Sequence, residues 1–251
     1  VIHLRFTYAI SENHITRPPI PDNTAPTGYE LGERDIILPY TGMDGYHWIM
    51  QTQQMFATGE LRIRHVDYDN YDNGPKGREV HWASAFRWWS AALAWLDHVY
   101  RGTLLPVAVE NVMPFANTLL ITLLLIPLAP VLTRRFGLGA ASLVLIGMGA
   151  ILPVYEAFAE GKSDHHGLAA LNDLLTLLFL LGGGAGWVRN VTSTEGLSPF
   201  LAWLPDRAQA KRWFIASGIV GGFGLWISTA SEAPLLAEIG LAAFVATGWL
   251  G

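Results

Sequence analysis

From Thr103 onward the sequence is a succession of long apolar runs, at about 104–132, 137–159, 167–188, 213–230 and 233–250. Each approaches the roughly 20 residues that an α-helix needs to cross a bilayer. Lipid leaves such segments few alternatives to helix, because every backbone polar group must find its partner within the protein. The expectation is a mainly α, polytopic helical membrane protein with about five spans in residues 104–251. Composition points the same way: 51% hydrophobic residues, 15% charged residues and ten tryptophans make the 251-residue chain too apolar for an ordinary soluble domain. Pro106, Glu110 and Pro114 interrupt the first run, which reads as kinked or as starting at the membrane surface.

The absence of cysteine excludes disulfides, thiolate zinc sites and thiol catalysis. A net charge of −5 gives no nucleic-acid surface, so no such partner is expected. Residues 1–10, "VIHLRFTYAI", read as the outer end of a first membrane helix that begins upstream. Residues 11–103 carry most of the acids and histidines together with turn-rich runs such as "TRPPIPDNTAPTG", and read as a large water-facing loop.

Loop charge sets the orientation. Arg134 and Arg135 lie between the first two spans, and Arg189, Arg207, Lys211 and Arg212 between the third and fourth, whereas the opposite short loops carry only Lys162. By the positive-inside rule the arginine loops are cytoplasmic. The 11–103 region, the 160–166 loop and the 231–233 turn then share the outer face, and with them Asp44, Asp164, His165, His166 and Glu232.

Two helices are expected in the water-facing region. "MDGYHWIMQTQQMFATGEL" reads as a helix starting just after Asp44 and ending at Gly59, with Asp44 either its N-cap or a functional acid. "REVHWASAFRWWSAALAWLDHVY" places Trp82, Phe86, Trp89, Leu93 and Leu96 on one stripe, as in a helix lying on a bilayer surface; a core-packing helix is the other reading. Asp67, Asp69 and Asp72 in "DYDNYDNG" lack the alternate spacing of a calcium loop and read as a turn.

The motif "GKSDHHG" offers Asp164 and His166 to one cation at the start of a helix, with His165 pointing elsewhere toward an anion at the helix N–H groups. A carboxylate and an imidazole suit Mn2+, Mg2+ or Zn2+. The other reading makes Ser163 or Asp164 a helix cap. Asp173 lies nine residues past Asp164, roughly 13 Å further along a helix, too far to share that ion.

Taken in order, "MDGYHWIMQTQQMFATGELRIRHVDYDNYDNGPKGREVHW", "GKSDHHG" and "GLWISTASEAPLL" resemble the membrane half of GT-C fold glycosyltransferases, in particular the oligosaccharyltransferase catalytic subunit, over residues 40–235. The resemblance implies transfer of a sugar or oligosaccharide from a polyprenyl-phosphate or pyrophosphate donor to an acceptor at the outer face of a prokaryotic plasma membrane. It also implies roles. Asp44, Asp164 and His166 would hold a divalent ion, Mn2+ or Mg2+ with Zn2+ as the alternative. Asp44 and Glu232 would be catalytic and handle the acceptor, although Glu232 also reads as a cap of the last span. His81, His165 and Arg78 would contact the donor phosphate. The alternative is a non-catalytic GT-C-like scaffold working with other membrane subunits.

Overall fold

The computed structural model describes residues 43–66, 77–189 and 203–250. They are mainly helical, in the order α1 (Met43–Thr58), β1 (His65–Val66), β2 (Arg78–Glu79), α2 (Ala85–Arg101), α3 (Leu105–Val112), α4 (Ala116–Phe136), α5 (Leu138–Ala150), α6 (Leu152–Phe158), α7 (His166–Gly182), α8 (Arg207–Ile227) and α9 (Thr229–Leu250). The expected first helix at 1–10 and the acidic turn with Asp67, Asp69 and Asp72 lie outside the described residues.

Two described segments are long and apolar enough to cross a membrane: Leu105–Phe136, which runs through α3 and α4, and Thr229–Gly248. The second expected span is a pair of helices, α5 and α6, bent by 72° at Ile151 and counting as a third only if taken together. The third, His166–Gly182, is apolar but shorter. The helix at the fourth expected span is not among those apolar enough to cross a membrane, and it begins earlier than expected, at Arg207, because Asp206 accepts from the Gln209 N–H and Gln209 answers at the Asp206 N–H. Lys211 and Arg212 thus fall inside the helix rather than in a loop.

The chain forms two compact units, Val1–Leu123 with Ile151–Gly167, and Leu124–Ala150 with Leu168–Gly251. The loop bearing Asp164 accordingly belongs with the segment expected to face water.

In the first unit α1 starts at Met43, so Asp44 occupies the first helical turn rather than the N-cap. Gly59 ends the helix as expected, at φ 73°, with its N–H on the Met55 carbonyl. The second helix is shorter than its pattern suggested. Arg78–Glu79 pair antiparallel with His65–Val66, and this strand pairing takes the first residues of the motif out of the helix. Helix α2 therefore begins at Ala85 and stops at Gly102, which is left-handed at φ 70°.

The stripe expected on α2 is also displaced. The buried face is Ala85, Phe86, Arg87, Ser90, Ala91 and Ala94, and small residues there let α2 approach α1 and α3. Trp88, Trp95, Leu96, Val99 and Tyr100 remain exposed along the opposite side. Arg87 is fully buried, donating to Gln51 Oε1 at 2.5 Å and to the Trp82 carbonyl at 3.2 Å. Burial first, and the charge of Arg62 second, push its guanidinium down to about 10. Glu110 on α3 is buried and receives Gln53 Nε2 at 3.2 Å. In the second unit Leu128, Leu132, Ala141 and Leu178 form an apolar cluster.

Candidate metal centre and its aromatic wall

The 159–166 loop is held in place from below. The Gly161 N–H donates to the Pro114 carbonyl at 2.7 Å, and Ser163 Oγ donates to the Met113 carbonyl at 3.0 Å. Ser163, one of the two cap candidates, is thus committed to the α3–α4 junction. Asn117, buried in the first turn of α4, donates from Nδ2 to the Lys162 carbonyl at 2.8 Å and to the Asp164 carbonyl at 2.7 Å. Gly167 completes the seat: a Cβ there would stand 2.8 Å from the Ala157 carbonyl oxygen and 2.8 Å from Asn117 Cγ. Only glycine lets the loop descend this far.

On this seat three consecutive side chains converge. His165 Nδ1 lies 2.7 Å from Asp164 Oδ1, and His166 Nδ1 lies 2.5 Å from Asp164 Oδ2. The expectation that His165 points elsewhere is therefore corrected. In a regular helix successive residues diverge by about 100°, but residues 161–165 form a turn that brings both imidazoles to the same carboxylate. Their rings stack with centroids 4.6 Å apart.

The electrostatics follow from this geometry. Burial alone would raise the Asp164 carboxyl, but hydrogen bonds from His165 and His166, together with their charges, outweigh it and hold Asp164 well below the ordinary carboxylate range. His166 is raised above its ordinary value. Its hydrogen bond to Asp164 is the largest cause, opposed by burial and by Lys162 and reinforced by the charges of Asp164 and Asp44. Asp44, more than half exposed, thus acts electrostatically on the cluster, and its carboxylate stands 4.0 Å from His47.

A ligand atom from each of Asp164, His165 and His166 can be chosen so that all lie within 4.8 Å of one another. Two metal–ligand bonds of about 2.0–2.2 Å reach across about 4.4 Å at most, slightly less than that bound, and a set of one carboxylate and two imidazoles suits Mn2+ or Zn2+ better than Mg2+. The compact set differs from the expected one: His165 is in it, while Asp44 contributes charge from outside.

Behind the cluster stands an aromatic wall. Trp48, fully buried, stacks on Trp82 at 5.2 Å and meets the His165 ring at 5.3 Å. Trp82 also has the Arg78 guanidinium over it at 4.8 Å and the His81 ring at 5.5 Å. The His165 ring lies 6.4 Å from Trp82 as well, so all three residues expected to contact phosphate border one indole. Arg78 additionally bonds His47 Nδ1 at 3.1 Å. Trp48 Nε1, buried beside these groups, has no hydrogen-bond partner among the described residues. Sequence reasoning placed Trp82 on a helix stripe and missed Trp48 and Asn117 as site residues; "HW" at both 47–48 and 81–82 was the available signal.

Glu232 belongs to the second unit. It is 1% exposed, accepts from Asn172 Nδ2 at 2.8 Å and neighbours Asp173. Comparison with protein families, with curated proteins and with solved structures finds no match to this chain.

Proposed function

We propose that the first unit is the donor-binding and metal-binding part of a membrane glycosyltransferase that moves a sugar from a polyprenyl-phosphate or pyrophosphate carrier to an acceptor at the outer membrane face. The observation that carries this reading is the clustering of Asp164, His165 and His166 within 4.8 Å, backed by Arg78, His81 and an indole N–H with no partner among the described residues. A cation-binding cluster beside cationic and N–H donor groups is suited to a phosphate. The candidate spans at Leu105–Phe136 and Thr229–Gly248 support a membrane setting for a lipid-linked substrate.

Asp164, His165 and His166 would hold a divalent ion, Mn2+ or Zn2+ in preference to Mg2+, which would supply Lewis-acid stabilisation of charge on the departing phosphate. Arg78 and His81 bind phosphate oxygens, and the Trp82 face orients the Arg78 guanidinium. Asp44, more than half exposed, would accept a hydrogen bond from an acceptor nucleophile. In transfer, the bond between the anomeric carbon and the phosphate oxygen breaks and a bond to the acceptor forms, with the acceptor proton leaving to a base.

A second reading has its own observation: both Asp164 oxygens already have histidine partners, as in a turn lock of a non-catalytic scaffold subunit. Sugar transfer by the full chain in liposomes, with a polyprenyl-phosphate-linked sugar and Mn2+, separates the two. Asp164→Ala is expected to lower kcat/KM at least 100-fold and Trp82→Ala to raise the donor KM, with the fold intact by circular dichroism. Wild-type transfer in Asp164→Ala, or no transfer by the wild-type chain with its natural partners present, would favour the scaffold.

A further inference from the structure

The second unit encloses a separate group of oxygen atoms. Asn172, Asp173 and Thr176 follow one another on α7, and α8 approaches them so closely that a Cβ at Gly224 would overlap the Asn172 amide and the Glu232 carboxylate. Asn172 Nδ2 satisfies Glu232 Oε2 at 2.8 Å. Glu232 Oε1 is buried and receives no hydrogen bond among the described residues. Asp173 neighbours Glu232, and its Oδ1 is shielded from solvent with no donor among the described residues. Ionised carboxylates only accept, so neither group can satisfy the other without something positive between them.

Thr176 is an independent sign. Thr52, Thr122, Thr133 and Thr247 each donate to the carbonyl four residues back, the usual choice for a helical threonine. Thr176, 1% exposed, does not, and its Oγ1 has no partner among the described residues. Its Cγ2 and Glu232 Oε1 meet the same face of Gly221, at 3.5 and 3.3 Å from a Cβ placed there. Glu232 Oε1 and the Thr176 side chain thus meet one glycine face of α8, the Asp173 carboxyl neighbours Glu232, and each of the three residues keeps a buried oxygen with no partner among the described residues.

We propose that Asp173, Thr176 and Glu232 form a monovalent-cation site within the second unit, filled by a proton shared between the two carboxyls or by Na+. The donor set is all oxygen, which disfavours the transition metals suited to the histidine cluster. It is also small: Ca2+ takes six to eight oxygens and Mg2+ demands an octahedron and sheds water reluctantly. A single positive charge suits so few donors. Ionisable side chains enclosed among apolar helices are characteristic of ion-binding sites and ion pathways in membrane proteins.

The test uses the full chain in detergent, purified in choline chloride without Na+. One arm follows thermal unfolding during titration with NaCl against choline chloride. Na+ about a hundredfold above its Kd is expected to raise Tm by about 5–10 °C. The rise should persist in Asp164→Asn, vanish in Asp173→Asn and Glu232→Gln, and need about tenfold more Na+ in Thr176→Val. The other arm records the infrared C=O band of a protonated carboxyl and its shift in D2O, expected to disappear in Asp173→Asn and in Glu232→Gln. Either signal, lost in those two variants, supports the site and says which cation fills it. Absence of both from the wild-type chain, or survival of the observed signal in both variants, overturns it.

Discussion

Asn117 holds Asp164 by the backbone rather than by the side chain: its Nδ2 donates to the Asp164 carbonyl at 2.7 Å while the carboxylate is left to the two histidines. The position of the cluster is thus set by an amide on α4 that touches none of the candidate ligands' side chains.

Asn117→Ala is expected to cost about 1–3 kcal/mol, since the buried Asp164 carbonyl and the part-buried Lys162 carbonyl lose their donor, and to weaken Mn2+ binding about 10–100-fold, as loss of an outer support does at metal sites. Because Asn117 Oδ1 has no partner among the described residues, the NH2 alone does the holding. Asn117→Asp should therefore be as damaging as Ala. Denaturation and Mn2+ titration by electron paramagnetic resonance check this, and a benign Asp variant would overturn it.

The pH dependence of stability follows from the opposite displacements of Asp164 and His166. The raised imidazole contributes fully below about pH 6.5 and loses its contribution as pH climbs through its folded value. The lowered carboxyl contributes above about pH 4 and loses its contribution as pH falls toward its folded value. The Tm difference between wild type and His166→Gln should therefore be largest between about pH 4 and 6.5 and shrink at alkaline pH. Mn2+ should bind better on the alkaline side, because a ligating imidazole must shed its proton. A Tm difference independent of pH would count against the pairing.

Gly167→Ala places a methyl group against the Ala157 carbonyl and the Asn117 amide, and about 1–3 kcal/mol of overpacking cost is expected. Gly218→Ala, in α8 with nothing within 4 Å of its added Cβ, is the matched control and should be neutral or stabilising by up to about 1 kcal/mol. Chemical denaturation of both variants is the measurement.

Helix α1 and its glycine stop were legible because they depend on local chemistry: Gly59 ends α1 where a left-handed residue is needed. The "DHH" motif was also legible, as a run of ligand types. Its inner geometry was not, since whether His165 joins His166 depends on a turn held by Pro114, Met113 and Asn117, more than 45 residues away in sequence. Trp82 was misread for a similar reason. Periodicity assigned it to a helix, while pairing of Arg78 with Val66 placed it in the connection before Ala85. The sequence set Asp173 apart from the Asp164 ion, but its neighbour Glu232 is 59 positions away and no local pattern joins them.

That Asp164, His165 and His166 are consecutive has a thermodynamic consequence. An ion bound by residues far apart closes a long loop and removes much of the freedom of the unfolded chain, as a disulfide does. An ion bound by three neighbours closes almost none. Its binding energy would fix the rotamers of one turn while leaving the global unfolding entropy nearly untouched, so a chelator would be expected to strip the centre without dismantling the helices around it.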